Sequence, residues 1–151
     1  MLISQSARVA IKALLQVASS SGIQHPLTVK QIAENTDENE HTIGKILQSL
    51  VKSKKISSKK GPAGGFFLNE IQLNTPIIEI ISLIDGDGIF ADCVLGLAKC
   101  HSDNPCPLHA DYLKIRDNMI QLFSKYTILE LSKGVIIAEA FLSTKMNKHA
   151  D

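Results

Sequence analysis

The chain has 151 residues, 44% of them hydrophobic, and a net charge of +1, which suits one folded domain with a short appendage and includes no apolar run of membrane-spanning length. The N-terminal segment lacks the basic stretch, apolar run and cleavage site of a signal peptide, so a cytoplasmic protein is expected. Charge is unevenly spread: residues 1–70 carry nine Lys/Arg against five Asp/Glu, whereas residues 71–151 carry seven against ten, which turns the first half towards a polyanion.

A first helix is expected over 4–19. Ala7, Ile11, Leu14, Leu15 and Ala18 share one face, Gln5, Arg8, Lys12, Gln16 and Ser19 the other, and Ser20-Ser21-Gly22 ends it. Thr28 and Gln31 form a capping box with Leu27 and Ile32 placed as a hydrophobic staple, so a second helix starts there, and the turn-forming Asn35-Thr36-Asp37 keeps it short. Asn39 caps a third helix, with Glu40 in its electropositive first turn. Ile43, Ile46, Leu47, Leu50 and Val51 form its apolar stripe, and His41, Thr42, Lys45, Gln48 and Lys52 point away. Two short helices joined by a tight turn, the second with a polar and basic outer face, make a helix-turn-helix; an ordinary helical hairpin is the bland alternative.

The next segment favours the first reading. Residues 56–60 and 66–68 are expected to form short strands around the turn Gly61-Pro62-Ala63-Gly64-Gly65, which makes a glycine-tipped wing. Lys52, Lys54, Lys55, Lys59 and Lys60 crowd beside it, well placed to neutralise phosphates, and the glycines would let backbone approach a duplex. Neither a Gly-Lys-Ser/Thr loop nor a G-x-G-x-x-G pattern is present, which argues against nucleotide binding.

Thr75 as cap and Pro76 as first residue open a fourth helix, buried along Ile77, Ile80, Ile81 and Ile84 and ended by Asp85-Gly86-Asp87-Gly88; that tetrapeptide lacks the remaining ligands of a calcium loop and reads as a turn. A cysteine loop follows, and Pro107 is expected to start a long helix to about Tyr126, with Leu108, Tyr112, Ile115, Met119, Leu122, Phe123 and Tyr126 in one stripe and Leu113 and Ile120 on a second edge. So much apolar surface calls for a second partner surface, most simply the same helix of another subunit. Thr127 and Glu130 cap a last helix that Gly134 is expected to interrupt before 135–142, and a polar, frayed tail spans 145–151.

All three cysteines lie in one stretch with the spacing C-x6-C-x5-C-x2-H, from Cys93 through Cys100 and Cys106 to His109. A cluster of this kind suggests metal or redox chemistry. Cys106 sits where a helix N-terminus would favour thiolate, and one helical turn would bring His109 beside it. Structural zinc usually takes tighter ligand pairs, so the spacing leans towards a bulkier iron–sulfur cluster; zinc, a thiol switch and His101 as a competing fourth ligand stay open.

The opening Leu2-Ile3-Ser4 and Ala-rich first helix, Leu27-Thr28-Val29-Lys30-Gln31-Ile32-Ala33, the recognition helix, Lys60-Gly61-Pro62-Ala63-Gly64-Gly65-Phe66 and the three cysteines together resemble the IscR/NsrR-type (Rrf family) winged-helix transcriptional regulators, most closely the IscR-like ones. The resemblance implies a mainly α fold, a winged helix-turn-helix with a β-hairpin wing plus a long C-terminal dimerisation helix. It implies a homodimer on a double-stranded DNA operator, the recognition helix in the major groove and the wing in the minor groove. It further implies a 2Fe–2S or 4Fe–4S cluster on three cysteines and a variable fourth ligand. That ligand is a C-x2-H histidine in IscR-like members, matched by His109, and an acidic first-helix residue in NsrR-like members, where this chain has Arg8. The resemblance therefore implies a 2Fe–2S cluster on Cys93, Cys100, Cys106 and His109. Lys60 stands where relatives often have Arg, and the first cysteine gap is longer than in the IscR pattern.

The expected layout is a DNA-binding region at 1–72, a connecting helix at 73–88, a cluster loop at 89–107, dimerisation helices at 108–144 and a tail at 145–151. The expected function is operator binding modulated by the cluster in response to redox state, iron or nitric oxide. Thr42, Lys45, Gln48 and His41 are candidates on the recognition helix, with Thr28 at the cap of the second helix. Lys59, Lys60 and Gly64 are candidates on the wing, and Arg8 and Lys12 for phosphate. No catalytic constellation, small-molecule substrate or membrane contact is expected.

Overall fold

The computed structural model describes residues 2–20 and 25–137. The 145–151 tail, the expected helix beyond Ile137 and residues 21–22 of the expected first-helix stop lie outside the described residues. Helix α1, Gln5–Ser19, is capped by Ser4, whose side chain accepts from the Ala7 amide. Burial extends well beyond the expected stripe: Val9, Ala10, Ala13 and Val17 are as enclosed as Leu14 and Leu15, because α1 runs through the middle of the fold.

Helices α2 (Val29–Thr36) and α3 (Glu40–Lys52) form the expected helix-turn-helix. The Thr28–Gln31 capping box is present in both directions, and Asp37, in left-handed conformation, ends α2. Asn39 caps α3 through the Thr42 amide, and Ile43, Ile46, Leu47 and Leu50 face the core. Strands β1 (Ser57–Lys59) and β2 (Gly65–Phe67) pair antiparallel, Ser57 opposite Phe67 and Lys59 opposite Gly65. Leu27 lies against β2 and exchanges two backbone hydrogen bonds with Phe66, at 3.0 and 2.8 Å.

A short helix absent from the sequence reading, α4 (Glu70–Leu73), follows the wing. Asn69 and Gln72 form its capping box, and the buried Gln72 amide also donates to the Lys54 carbonyl and the Ser57 hydroxyl, at 3.1 and 3.0 Å, tying α4 to the base of the wing.

Helix α5 (Ile77–Asp85) starts one residue later than expected, with Pro76 as cap. Pro76 is held extended because it pairs with Thr127: Ile77 donates to the Tyr126 carbonyl at 2.9 Å and Ile128 to the Thr75 carbonyl at 3.1 Å. A 3₁₀ turn, Asp87–Phe90, leads into the cysteine loop. Helix α6, His109–Lys125, begins two residues beyond Pro107. Its Met119 is buried and Phe123 meets Phe90 with ring centroids 6.4 Å apart, while Leu108, Ile115 and Leu122, seven residues apart, are each about half exposed at 48, 52 and 52%. The expected single stripe thus splits between an inner and an outer edge. Helix α7, Ile128–Ile137, continues through Gly134 without the expected interruption and packs along α1. Ile128 joins the same core as Leu14, Ile43, Ile56 and Ile80. Among the described residues no helix is long and apolar enough to cross a membrane.

Candidate metal centre and nucleic-acid interface

The cysteine loop is fastened at its start to α6. The Arg116 guanidinium on α6 donates to the Ala91 carbonyl at 2.7 Å, and the Phe90 ring sits against Phe123. From Cys93 the chain turns back, with the Gly96 amide donating to the Cys93 carbonyl at 2.8 Å. A second turn joins Cys106 to α6, where the His109 amide donates to the Cys106 carbonyl at 3.0 Å. This turn delays the helix past Pro107, and it leaves the Cys106 amide directed at Cys100 Sγ, 3.4 Å away.

These turns bring the three sulfurs within 4.8 Å of one another. Cys93 and Cys106 are 3.7 Å apart, and Cys100 Sγ lies 3.2 Å from His109 Nδ1. His109 touches Cys100, but the set whose ligand atoms all lie within 4.8 Å of one another is, among the described residues, the three cysteines without His109. The Nε2 of His109 is buried and has no hydrogen-bond partner among the described residues. A buried polar atom without a partner is uncommon and calls for an ion or water. His101, the competing ligand, is exposed, pairs with Asn104 in a backbone bridge and accepts from the Asp103 amide.

The thiols differ. Backbone N–H groups of Leu97 and Leu95 bring the Cys93 pKa down from 9.0 to about 7. The Cys106 amide favours the Cys100 thiolate, but burial and the neighbouring Cys93 and Cys106 thiols outweigh it and raise Cys100. One of the three sulfurs is therefore already half ionised near neutrality, which suits a soft metal or a redox reaction.

Beside Cys93 opens a hollow of about 820 Å³ whose walls include Arg8, Asp85, Asp92, Tyr112 and Met119. Arg8, a phosphate candidate from sequence, therefore stands next to the cysteine loop; its Nη2 donates to the Gln5 side chain. Lys12 is ion-paired with Glu38. The remaining nucleic-acid candidates group differently. His41, Thr42, Lys45 and Gln48 are exposed on the outer face of α3, and Thr28, Lys59 and Lys60 are exposed at the α2 cap and along the wing. Lys55 is taken up by Glu79.

The wing glycines have a reason in the chain itself. A Cβ on Gly64 would lie 2.2 Å from the Lys59 carbonyl oxygen, and one on Gly65 (φ +150°) 2.6 Å from that of Leu27, so the hairpin can close only with glycine at these positions. Sequence reading missed Asp85, Arg116, Val29 and Gln72. Val29, named from sequence only within the Leu27–Ala33 stretch, borders a surface hollow with Gly44, Lys45 and Gln48.

The Rrf2 family, described as an iron-dependent transcriptional regulator, matches residues 3–134. The chain is 26% identical over 131 residues to the HTH-type transcriptional regulator IscR of Escherichia coli K12, a match covering 87% of this chain and 80% of that one. In fold it resembles CymR (YrzC), the global cysteine regulator of B. subtilis, with a TM-score of 0.70 and 19% identity over 87% of this chain and 95% of that one. It also resembles T. potens IscR, with a TM-score of 0.70 and 19% identity over 91% of this chain and 90% of that one.

Proposed function

The chain belongs to the Rrf2 family of iron-dependent transcriptional regulators, and from that membership we propose that it is a cytoplasmic, homodimeric DNA-binding regulator whose operator affinity is set by a 2Fe–2S cluster on Cys93, Cys100, Cys106 and His109. The observation that carries this reading is the convergence of three sulfurs within 4.8 Å, with His109 touching the set and its buried Nε2 without a partner among the described residues. Three thiolates and one imidazole are a donor set that iron–sulfur clusters accept. When bound, the cluster supplies one-electron redox chemistry and sensitivity to oxidant, nitric oxide and iron supply. The guanidinium of Arg8 has no lone pair to give, so it is not the fourth ligand.

The residues at 1–72 form the DNA-binding region in this reading. Helix α3 enters the major groove with Thr42, Lys45 and Gln48 at base edges and His41 beside them. Lys59, Lys60 and Gly64 follow the wing to the minor groove, and Thr28 meets the backbone at the start of α2. Lys12 and Arg8 contact phosphate only after exchanging Glu38 and Gln5. The outer edge of α6, Leu108, Ile115 and Leu122, meets its two-fold mate. The loop at 89–107 reports to α1 through Asp85, which ends α5 and holds Ser4. A change in the loop then shifts the subunits against each other and alters how two half-sites are met.

A second reading has an observation of its own. At a Zn–S distance near 2.3 Å a tetrahedral zinc spaces its sulfurs by about 3.8 Å, and Cys93 and Cys106 stand 3.7 Å apart. Anaerobic purification followed by visible absorption and counts of iron, sulfide and zinc separates the two. A brown-red protein with about two irons and two sulfides per chain supports the cluster; a colourless protein with one zinc supports the second reading. Cluster-loaded and cluster-free protein are then compared on one DNA duplex at one salt concentration, and equal affinity with equal sequence preference removes the sensing role.

A further inference from the structure

We infer that Gly44 forms a notch in the recognition helix that accepts the C5-methyl group of a thymine. This rests on the reading that α3 enters the major groove. Gly44 lies inside α3, where alanine favours a helix and glycine opposes it. Packing does not require glycine: an added Cβ would meet only Val29 Cγ1, at 3.9 Å, an ordinary van der Waals contact. Gly44 instead lines an open hollow of about 720 Å³ on the outer face of α3. Asn39, Glu40, His41, Lys45 and Gln48 stand around it, and among the described residues Val29 is the one apolar side chain lining it.

This chemistry selects an occupant. A carbonyl or amino group pushed against Val29 Cγ1 would lose water and gain no partner. A methyl group standing where the Cβ is missing would meet the same carbon at van der Waals distance. Among the unmodified bases only thymine presents a methyl group in the major groove. Lys45 and Gln48, on either side, offer donors for the neighbouring purine edges, and the lysine supplies the charge complement to the duplex. Gly44 and Val29 together would thus act as a specificity determinant that uses shape, where their neighbours use hydrogen bonds.

Duplexes selected from a random library by the anaerobically prepared protein supply the probe. Each thymine in the selected duplex is replaced in turn by deoxyuridine, which removes the methyl group alone. The wild-type chain is expected to lose about fourfold in affinity at one thymine of each half-site. Gly44→Ala, with its melting temperature unchanged or raised, is expected to bind the thymine and deoxyuridine duplexes equally. Lys45→Ala, the control for the groove reading, is expected to weaken binding to both duplexes by the same factor. If Lys45→Ala weakens binding but no single deoxyuridine does, or if Gly44→Ala keeps the wild-type preference for thymine, the notch is overturned and α3 remains in the groove. If Lys45→Ala and Gln48→Ala both bind as wild type does, or if no duplex is selected, the groove reading fails and the notch fails with it.

Discussion

Ser4 and Asp85, 81 residues apart, are joined end to end: the Ser4 amide donates to Asp85 Oδ2 at 2.9 Å and the Ser4 hydroxyl donates to Oδ1. The cap of α1 is thereby fastened to the last residue of α5, immediately before the turn that opens the cysteine loop. Asp85→Ala is expected to cost about 1 kcal/mol of stability, the scale of a lost cap interaction at an exposed site. It is also expected to narrow the difference in operator affinity between cluster-loaded and cluster-free protein, measured by fluorescence anisotropy. An unchanged difference would remove Asp85 from the proposed route between the loop and α1.

Cys93 gives a pH-dependent reading in metal-free, reduced protein. Its folded pKa of about 7 lies below the ordinary 9.0, so the fold binds the thiolate in preference to the thiol. The associated stability is complete above pH 9.0, declines as pH falls through that window and is lost below about 7. Alkylation by iodoacetamide, followed by mass spectrometry of the individual cysteines, should rise with a midpoint near 7 at Cys93 and above 9.0 at Cys100. Equal midpoints would remove the distinction.

The outer edge of α6 makes a sharp prediction about assembly. Ile115 is 52% exposed midway between Leu108 and Leu122. In the proposed two-fold dimer Ile115→Asp would place a charge twice in the interface, so a dissociation constant about 100-fold higher or more is expected. Sedimentation should show monomers whose circular dichroism matches that of the parent. Dimers of unchanged affinity would move the interface elsewhere.

Gln72 holds the wing to the body of the protein. Gln72→Ala leaves the Lys54 carbonyl and the Ser57 hydroxyl without their partner, and a cost of about 1–3 kcal/mol in urea denaturation is expected. Hydrogen exchange should speed up along β1 and β2 more than in α1. Uniform protection loss would point to a general effect on the core.

The elements legible in the sequence are those decided within a few residues. The Thr28–Gln31 box and the Asn39 cap each need only a donor and acceptor three positions apart, and both stand as read. The boundaries that moved were decided by distant partners. Pro76 became a cap because Thr127 pairs with it, and α6 waited until His109 because the Cys106 amide turns to Cys100. Helix α4 escaped notice because its pattern is inverted: Ile71 is 85% exposed while the amide of Gln72 is buried. The cysteines were evident from type and spacing alone, but that spacing placed Arg8 nowhere near them. In the fold Arg8 and Cys93 line one hollow, between elements that the Ser4–Asp85 hydrogen bonds hold together.

The two hydrogen bonds between Leu27 and Phe66 bear on how operators can vary. They stitch the wing to the residue just ahead of the α2 cap, and α2 in turn packs on α3. The chain is therefore a single caliper jaw with a gauge set by its own backbone. A jaw of fixed gauge cannot widen to suit a longer half-site. In the proposed two-fold dimer the adjustable dimension would be the gap between the jaws, so operators that discriminate between the proposed cluster-loaded and cluster-free states would differ in the length of the central spacer.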